Sequence, residues 1–196
     1  MPNPFKRFNF LLETSISENS IKQLEKLWNE KTRFYHNISH LIQILKDIES
    51  NIWFSDLQPF EKKILLLAAF YHDAIYNPKK KDNEDKSIEF FKATWKGNDE
   101  LIRNEVIKLI EVTKYRIRPI TKLAKIFWDA DNAGFKRGYA HLIKNEKLLR
   151  KEFSFVPITK YREARLKFIQ ENIGLFNSNV DKDLEKLTQY VEKTYK

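Results

Sequence analysis

The sequence predicts an all-α fold, and three observations carry that expectation. Only 4 Gly and 6 Pro occur in 196 residues, which leaves little material for hairpins or flexible linkers. Long stretches rich in Leu, Ile, Lys and Glu favour helices. Apolar residues recur at helical spacing along most of the chain. At this length one compact domain over residues 1–196 is expected, and 42% hydrophobic with 14% aromatic residues can fill its core.

About nine helices are expected, in an order that punctuation residues set. Ile21, Leu24, Leu27 and Trp28 form a first stripe, with Ser17 or Ser20 available as its cap. Ile38, Leu41, Ile42, Leu45 and Ile48 form a second, beginning near His36 or Asn37. Pro59 suits a first helical turn, and the nearly all-apolar run from Phe60 to about Tyr76 reads as the central helix, stopped by Asn77-Pro78. Asp82-Asn83-Glu84-Asp85 opens a helix to Lys96, with Gly97 as its stop. Asn98-Asp99 caps a helix through Thr113, which Arg118-Pro119 breaks. A further helix runs from Thr121 into Trp128-Asp129-Ala130-Asp131. Three more are expected around 139–153, 158–172 and 180–192, with no internal repeat and no linker dividing the set.

With no cysteine, any metal site must use nitrogen and oxygen donors. No apolar run is long enough to span a bilayer or to act as a leader after Met1-Pro2-Asn3-Pro4, so a cytoplasmic protein without membrane contact is expected. The net charge of +9 comes from 36 Lys+Arg and 27 Asp+Glu scattered along the chain. Dispersed lysines read first as a solvated surface, although a basic surface also attracts phosphate-bearing ligands or nucleic acid. The local cluster is Lys79-Lys80-Lys81.

The chemistry-bearing pattern is a His-Asp pair, His72-Asp73, at the end of the apolar run Ile64 to Tyr71. An imidazole and a carboxylate there are costly unless a charged group accepts both. Four histidines occur in the chain: His36, His40, His72 and His141. His36 and His40 are four apart, a helical spacing that lets two imidazoles approach one point or serves as ordinary capping groups. Asp129 and Asp131 bracket Ala130. His, His-Asp and a distant Asp form a set suited to a divalent ion such as Mn, Fe, Co, Ni, Zn or Mg. The bland alternative makes His72-Asp73 a helix cap and the later aspartates turn residues. His141 has no ligand partner in sequence and reads as structural. Trp53, Trp95 and Trp128 read as core residues, with Trp128 as a possible pocket wall.

These residues resemble the HD-domain superfamily of metal-dependent phosphohydrolases, whose metal site is written His, then His-Asp, then Asp. The chain is similar to the subgroup of predicted phosphohydrolases along Arg33 to His40, Ala68 to Tyr76, Asp82 to Ser87, Trp128 to Asp131 and Phe155 to Arg165, spanning about residues 30–180. The resemblance implies an HD-type helical bundle with His40, His72, Asp73 and Asp131 as ligands, and His36 and Asp129 as understudies. It places Asn83, Glu84 and Ser87 near the site, with Glu84 holding a water or ordering a ligand. In relatives a histidine is expected shortly after Thr113; here Lys114-Tyr115-Arg116 follows. One ion instead of two, or altered activity, would follow from that change.

The chemistry implied is attack of a metal-activated water on a phosphate ester of a small molecule, nucleotides first among substrates. Asp73 would take the water's proton and His36 would donate one to the leaving group. Arg33, Lys80, Arg116, Arg165 and Asn83 are the candidate substrate contacts, Arg33 having an ion-pair reading with Glu30 or Asp47 as its alternative. Two competitors remain: an oxygen-activating di-iron enzyme, which needs extra histidines, and a basic helical nucleic-acid-binding or regulatory module with a structural or degenerate metal site.

Overall fold

A computed structural model describes residues 3–114 and 118–196. Its described residues form eleven α-helices and one 3-10 turn, with a lone backbone bridge between Ile16 and Trp95. The nine expected helices are joined by two short ones at the start, α1 (Pro4–Arg7) and α2 (Asn9–Glu13). They are too brief for a periodic stripe; α1 is set by the Asn3 cap and by Pro4 in its first turn. The chain, read as one domain, divides into two compact units, one reaching Asp131 and the other covering Asn132–Lys196. Each has its own buried apolar cluster. Among the described residues no helix is long and apolar enough to cross a membrane.

In the first unit, α3 (Glu18–Trp28) starts at Ser17, whose Oγ accepts from Ser20 N, and α4 (Ile38–Glu49) starts at Asn37, whose side chain accepts from Ser39 N. His36 therefore precedes α4, and the one-helix face proposed for His36 and His40 is not formed. The central helix, α5 (Pro59–Tyr71), opens with Glu61 accepting from Gln58 N at 2.8 Å. Every residue from Ile64 to Tyr71 is buried. Around it pack α4, α6 (Asn83–Thr94), α7 (Glu100–Val112, capped by Asp99) and α8 (Lys122–Asp131).

Two expected boundaries move. The central helix ends at Tyr71, not near Tyr76, because residues 73–77 give their backbone groups to side chains of other elements. Helix α6 ends at Thr94, where Trp95 turns extended to bridge Ile16. Gly97 is needed there for a close approach: a Cβ at that position would lie 2.3 Å from the Trp95 ring. Trp53, expected in the core, is 40% exposed in the loop before α5.

The second unit comprises the 3-10 turn (Asn132–Arg137), α9 (Tyr139–Glu152), α10 (Ile158–Asn172) and α11 (Ser178–Thr194). Gly138 and Gly174 adopt φ of 84° and 87°, a left-handed backbone that side chains resist. Its core holds one fully buried carboxylate, Glu146, which accepts from Tyr161 Oη at 2.7 Å and from the Arg165 guanidinium at 2.8 Å.

The end of α5 leaves carbonyls without intrahelical partners, and Trp28 supplies one: its Nε1–H donates to Phe70 O at 2.8 Å in a buried setting. Trp28→Phe orphans that carbonyl and leaves a small cavity where the pyrrole ring packed. We expect a loss of about 1–3 kcal/mol of unfolding free energy, read by denaturant titration.

Candidate metal centre

His72 follows the last residue of α5 and retains helical dihedrals. Its Nδ1 lies 2.9 Å from Ala69 O. A carbonyl can only accept, so Nδ1 carries the proton and the lone pair of the neutral ring sits on Nε2. His72 is 1% exposed, and Nε2 is buried without a hydrogen bond. The rings of Trp28, His40 and Phe127 surround it at 5.6, 5.6 and 5.8 Å. A desolvated nitrogen lone pair with no donor against it is costly in a protein interior, so its surroundings decide what it is for.

Those surroundings are two carboxylates and a second imidazole. His72 Nε2 is 3.3 Å from Asp73 Oδ2 and 3.8 Å from Asp131 Oδ1. His40 Nε2 is 3.9 Å and 3.5 Å from the same two oxygens. The donor atoms of His40, His72 and Asp73 all lie within 4.8 Å of one another. Four ligands each about 2.1 Å from a common tetrahedral centre would stand roughly 3.4 Å apart; the imidazole–carboxylate separations here run from 3.3 to 3.9 Å. His40 on α4 with His72 and Asp73 at the end of α5 form a cluster that could hold a divalent first-row ion, and Asp131 at the end of α8 brings a second carboxylate beside both imidazoles.

Helical geometry also separates Asp129 from Asp131. Two residues apart on a helix means a rotation of roughly 200°, so the two side chains leave α8 on opposite sides. Asp131 is the one that meets both imidazoles.

The other candidates fall into place around this centre. His36 sits in the bend before α4, stacked on Tyr76 at 4.2 Å and edge-on to His40 at 5.8 Å. Tyr35 lies 5.2 Å from His40. Arg33 is buried, and its guanidinium donates to Glu30 Oε2, Asp73 O and Ala74 O, the ion-pair alternative with Glu30 plus two backbone contacts. Asn83 pairs with the backbone of Asn77, giving Oδ1 to its N–H at 2.9 Å and Nδ2–H to its carbonyl at 3.1 Å. Ser87, one turn on, does the same for Ile75, at 3.1 and 3.3 Å. Glu84 is half-buried in the first turn of α6 between them. Lys80 is exposed on the loop, its N–H bonded to Asn77 O at 2.9 Å. Lys114 pairs with Asp85. Arg116 lies outside the described residues. Arg165 belongs to the second unit and binds Glu146 there.

Sequence reasoning missed Trp28 and Tyr76 as ring walls of the site, because an apolar stripe and a loop tyrosine carry no signal of what they face. It also gave Asn83 and Ser87 a place near the site without the backbone pairing that explains their four-residue spacing. Compared with family models, curated proteins and solved structures, the chain matches none.

Charge on the site follows from its packing. Burial alone would pull the His72 pKa down, but the Asp73 and Asp131 carboxylates outweigh it and raise it to about 9. Burial likewise opposes ionisation of Asp73, yet the His72, His36 and His40 imidazoles hold its pKa far below the usual carboxylate range. In the metal-free protein near neutral pH, His72 is thus a buried imidazolium paired with Asp73.

The raised folded-state pKa of His72 stabilises the metal-free protein fully below its unfolded value of about 6.5, and that contribution is lost as pH rises toward 9. A bound cation must displace the same proton, so its apparent affinity should gain about tenfold per pH unit between 7 and 9, measured by calorimetry in buffers of different ionisation enthalpy. Asp131→Asn should abolish cobalt binding in equilibrium dialysis while Asp129→Asn leaves it intact; the reverse pattern would assign the ligand to Asp129.

Proposed function

We propose that this protein is a metal-dependent phosphohydrolase, hydrolysing a phosphate ester of a small molecule, with nucleotides first among its substrates. The observation that carries the reading is the cluster of His40, His72 and Asp73 donor atoms within 4.8 Å of one another, with Asp131 beside both imidazoles. His40, His72, Asp73 and Asp131 would hold the ion. The order His, His-Asp, Asp is the pattern that resembles the HD superfamily, and one ion is the expected load.

A divalent ion bound there lowers the pKa of water from about 15.7 toward neutrality and neutralises charge on phosphoryl oxygens. The chain's own groups would do the rest. His72 keeps its lone pair aimed inward because Nδ1–H is held by Ala69 O. Asp73 stays ionised, held so by the imidazoles around it, which suits it to ligation. His36, held against Tyr76 beside the centre, is the proposed proton donor to the leaving group. Glu84 would hold a water at the start of α6, and Lys80 with its neighbours Lys79 and Lys81 would attract the phosphate from the loop that follows Asp73. The overall charge of +9 would favour the approach of an anionic substrate.

The test is phosphate release from a panel of nucleotides and sugar phosphates with Mn, Co, Ni or Mg supplied in turn. The reading expects release with at least one pair and its loss to background in His72→Ala. Salt-sensitive nucleic-acid binding that survives Asp73→Ala, with no phosphate released from any substrate, would favour the basic binding module instead.

A further inference from the structure

The segment after the His-Asp pair is not helical, yet its backbone is fixed at almost every step. Arg33 donates through Nη1 to Asp73 O at 2.6 Å and through Nη2 to Ala74 O at 2.8 Å. Ser87 takes both the N–H and the carbonyl of Ile75, and Asn83 takes both from Asn77. Residues 75 and 77 are therefore paired by side chains as a neighbouring strand would pair them, from one face of α6. Residues 73 and 74 are held from the other side by one guanidinium.

Arg33 is itself locked. Its side chain is 2% exposed, Nε donates to Glu30 Oε2 at 3.0 Å, and its guanidinium lies over Trp28 and Tyr76 at 5.8 and 5.7 Å. A planar fork with its position fixed by an anion and two rings can orient two successive carbonyls at once, which a single ammonium cannot. Each residue has only two soft backbone dihedrals, so holding the peptide planes that follow Asp73 and Ala74 constrains the direction of the Asp73 Cα–Cβ bond, from which the carboxylate extends.

We propose that Arg33 is a positioning residue of the metal centre: through the carbonyls of Asp73 and Ala74 it aims the Asp73 carboxylate at the imidazoles of His40 and His72. The inference rests on the metal reading above. It assigns Arg33 a role without substrate contact, and it explains why a permanently charged side chain is buried next to a centre that already needs a cation. The guanidinium's charge is balanced by Glu30, while its fork acts on backbone dipoles.

The experiment is cobalt binding to the full chain, followed by equilibrium dialysis and by the visible absorption band of the bound ion, at a temperature where circular dichroism shows each variant fully folded. Arg33→Lys keeps the charge and loses the fork. Partners that orient a ligand are worth about 10–100-fold in metal affinity, so its dissociation constant should rise by that factor, with a changed cobalt spectrum. Glu30→Ala releases Nε from a 39% exposed partner and should shift binding in the same direction while leaving the core untouched. It serves as the deciding variant where Arg33→Lys fails to fold. Wild-type affinity and an unchanged spectrum in a folded variant would overturn the positioning role and leave the metal reading standing. No cobalt bound by the wild-type chain would overturn the metal reading itself.

Discussion

A single buried nitrogen organises this molecule. His72 Nε2 has been removed from water by Trp28, Phe127 and His40, and the ring cannot turn away because Nδ1–H is tied to Ala69 O. Without a metal it is satisfied only by gaining a proton and pairing with Asp73, a compromise in which burial opposes both charges. A divalent cation would resolve the conflict for all four side chains at once. The four side chains come together because α4, α5 and α8 meet there, one contributing its start and the other two their ends.

The same region closes the central helix. The last carbonyls of α5 are taken by the His72 backbone at Ala68, by the His72 ring at Ala69 and by Trp28 at Phe70. Helix capping and the orientation of the His72 ring are thus one set of hydrogen bonds, and a change in either is felt in the other. Beyond it, Arg33, Asn83 and Ser87 hold residues 73–77 in a fixed non-helical path. The apolar core behind α5 supplies the rigidity against which these polar contacts work.

Much of this was legible in the chain. The stripes Ile21 to Trp28 and Ile38 to Ile48 are amphipathic and gave α3 and α4 closely, with Ser17 among the caps foreseen. The pattern His40, His72-Asp73, Asp131 identified the side chains that converge, although sequence alone left Asp129 beside Asp131; only the rotation along α8 separates them. What misled was hydrophobicity that continues past a helix end. Ile75 and Tyr76 extend the apolar run of α5, so its stop at Tyr71 is invisible without the side chains that capture the next backbone groups. His36 was placed on a helical face because Asn37 reads equally well as a helical residue or as a cap. The second compact unit has no linker to announce it, and within it Arg165 neutralises the buried Glu146, a pairing that the resemblance gave no sign of. Trp53 shows the limit of composition as a guide: a tryptophan is usually core, and this one stands in an exposed loop.

The claim that four side chains share one cation is tested most directly by anomalous diffraction from crystals of the zinc-loaded protein. Zinc suits nitrogen and oxygen donors and binds at characteristic distances. One strong peak about 2.0–2.2 Å from His40 Nε2, His72 Nε2 and carboxylate oxygens of Asp73 and Asp131 is the result expected. A peak elsewhere, or none between the two imidazoles, would contradict it.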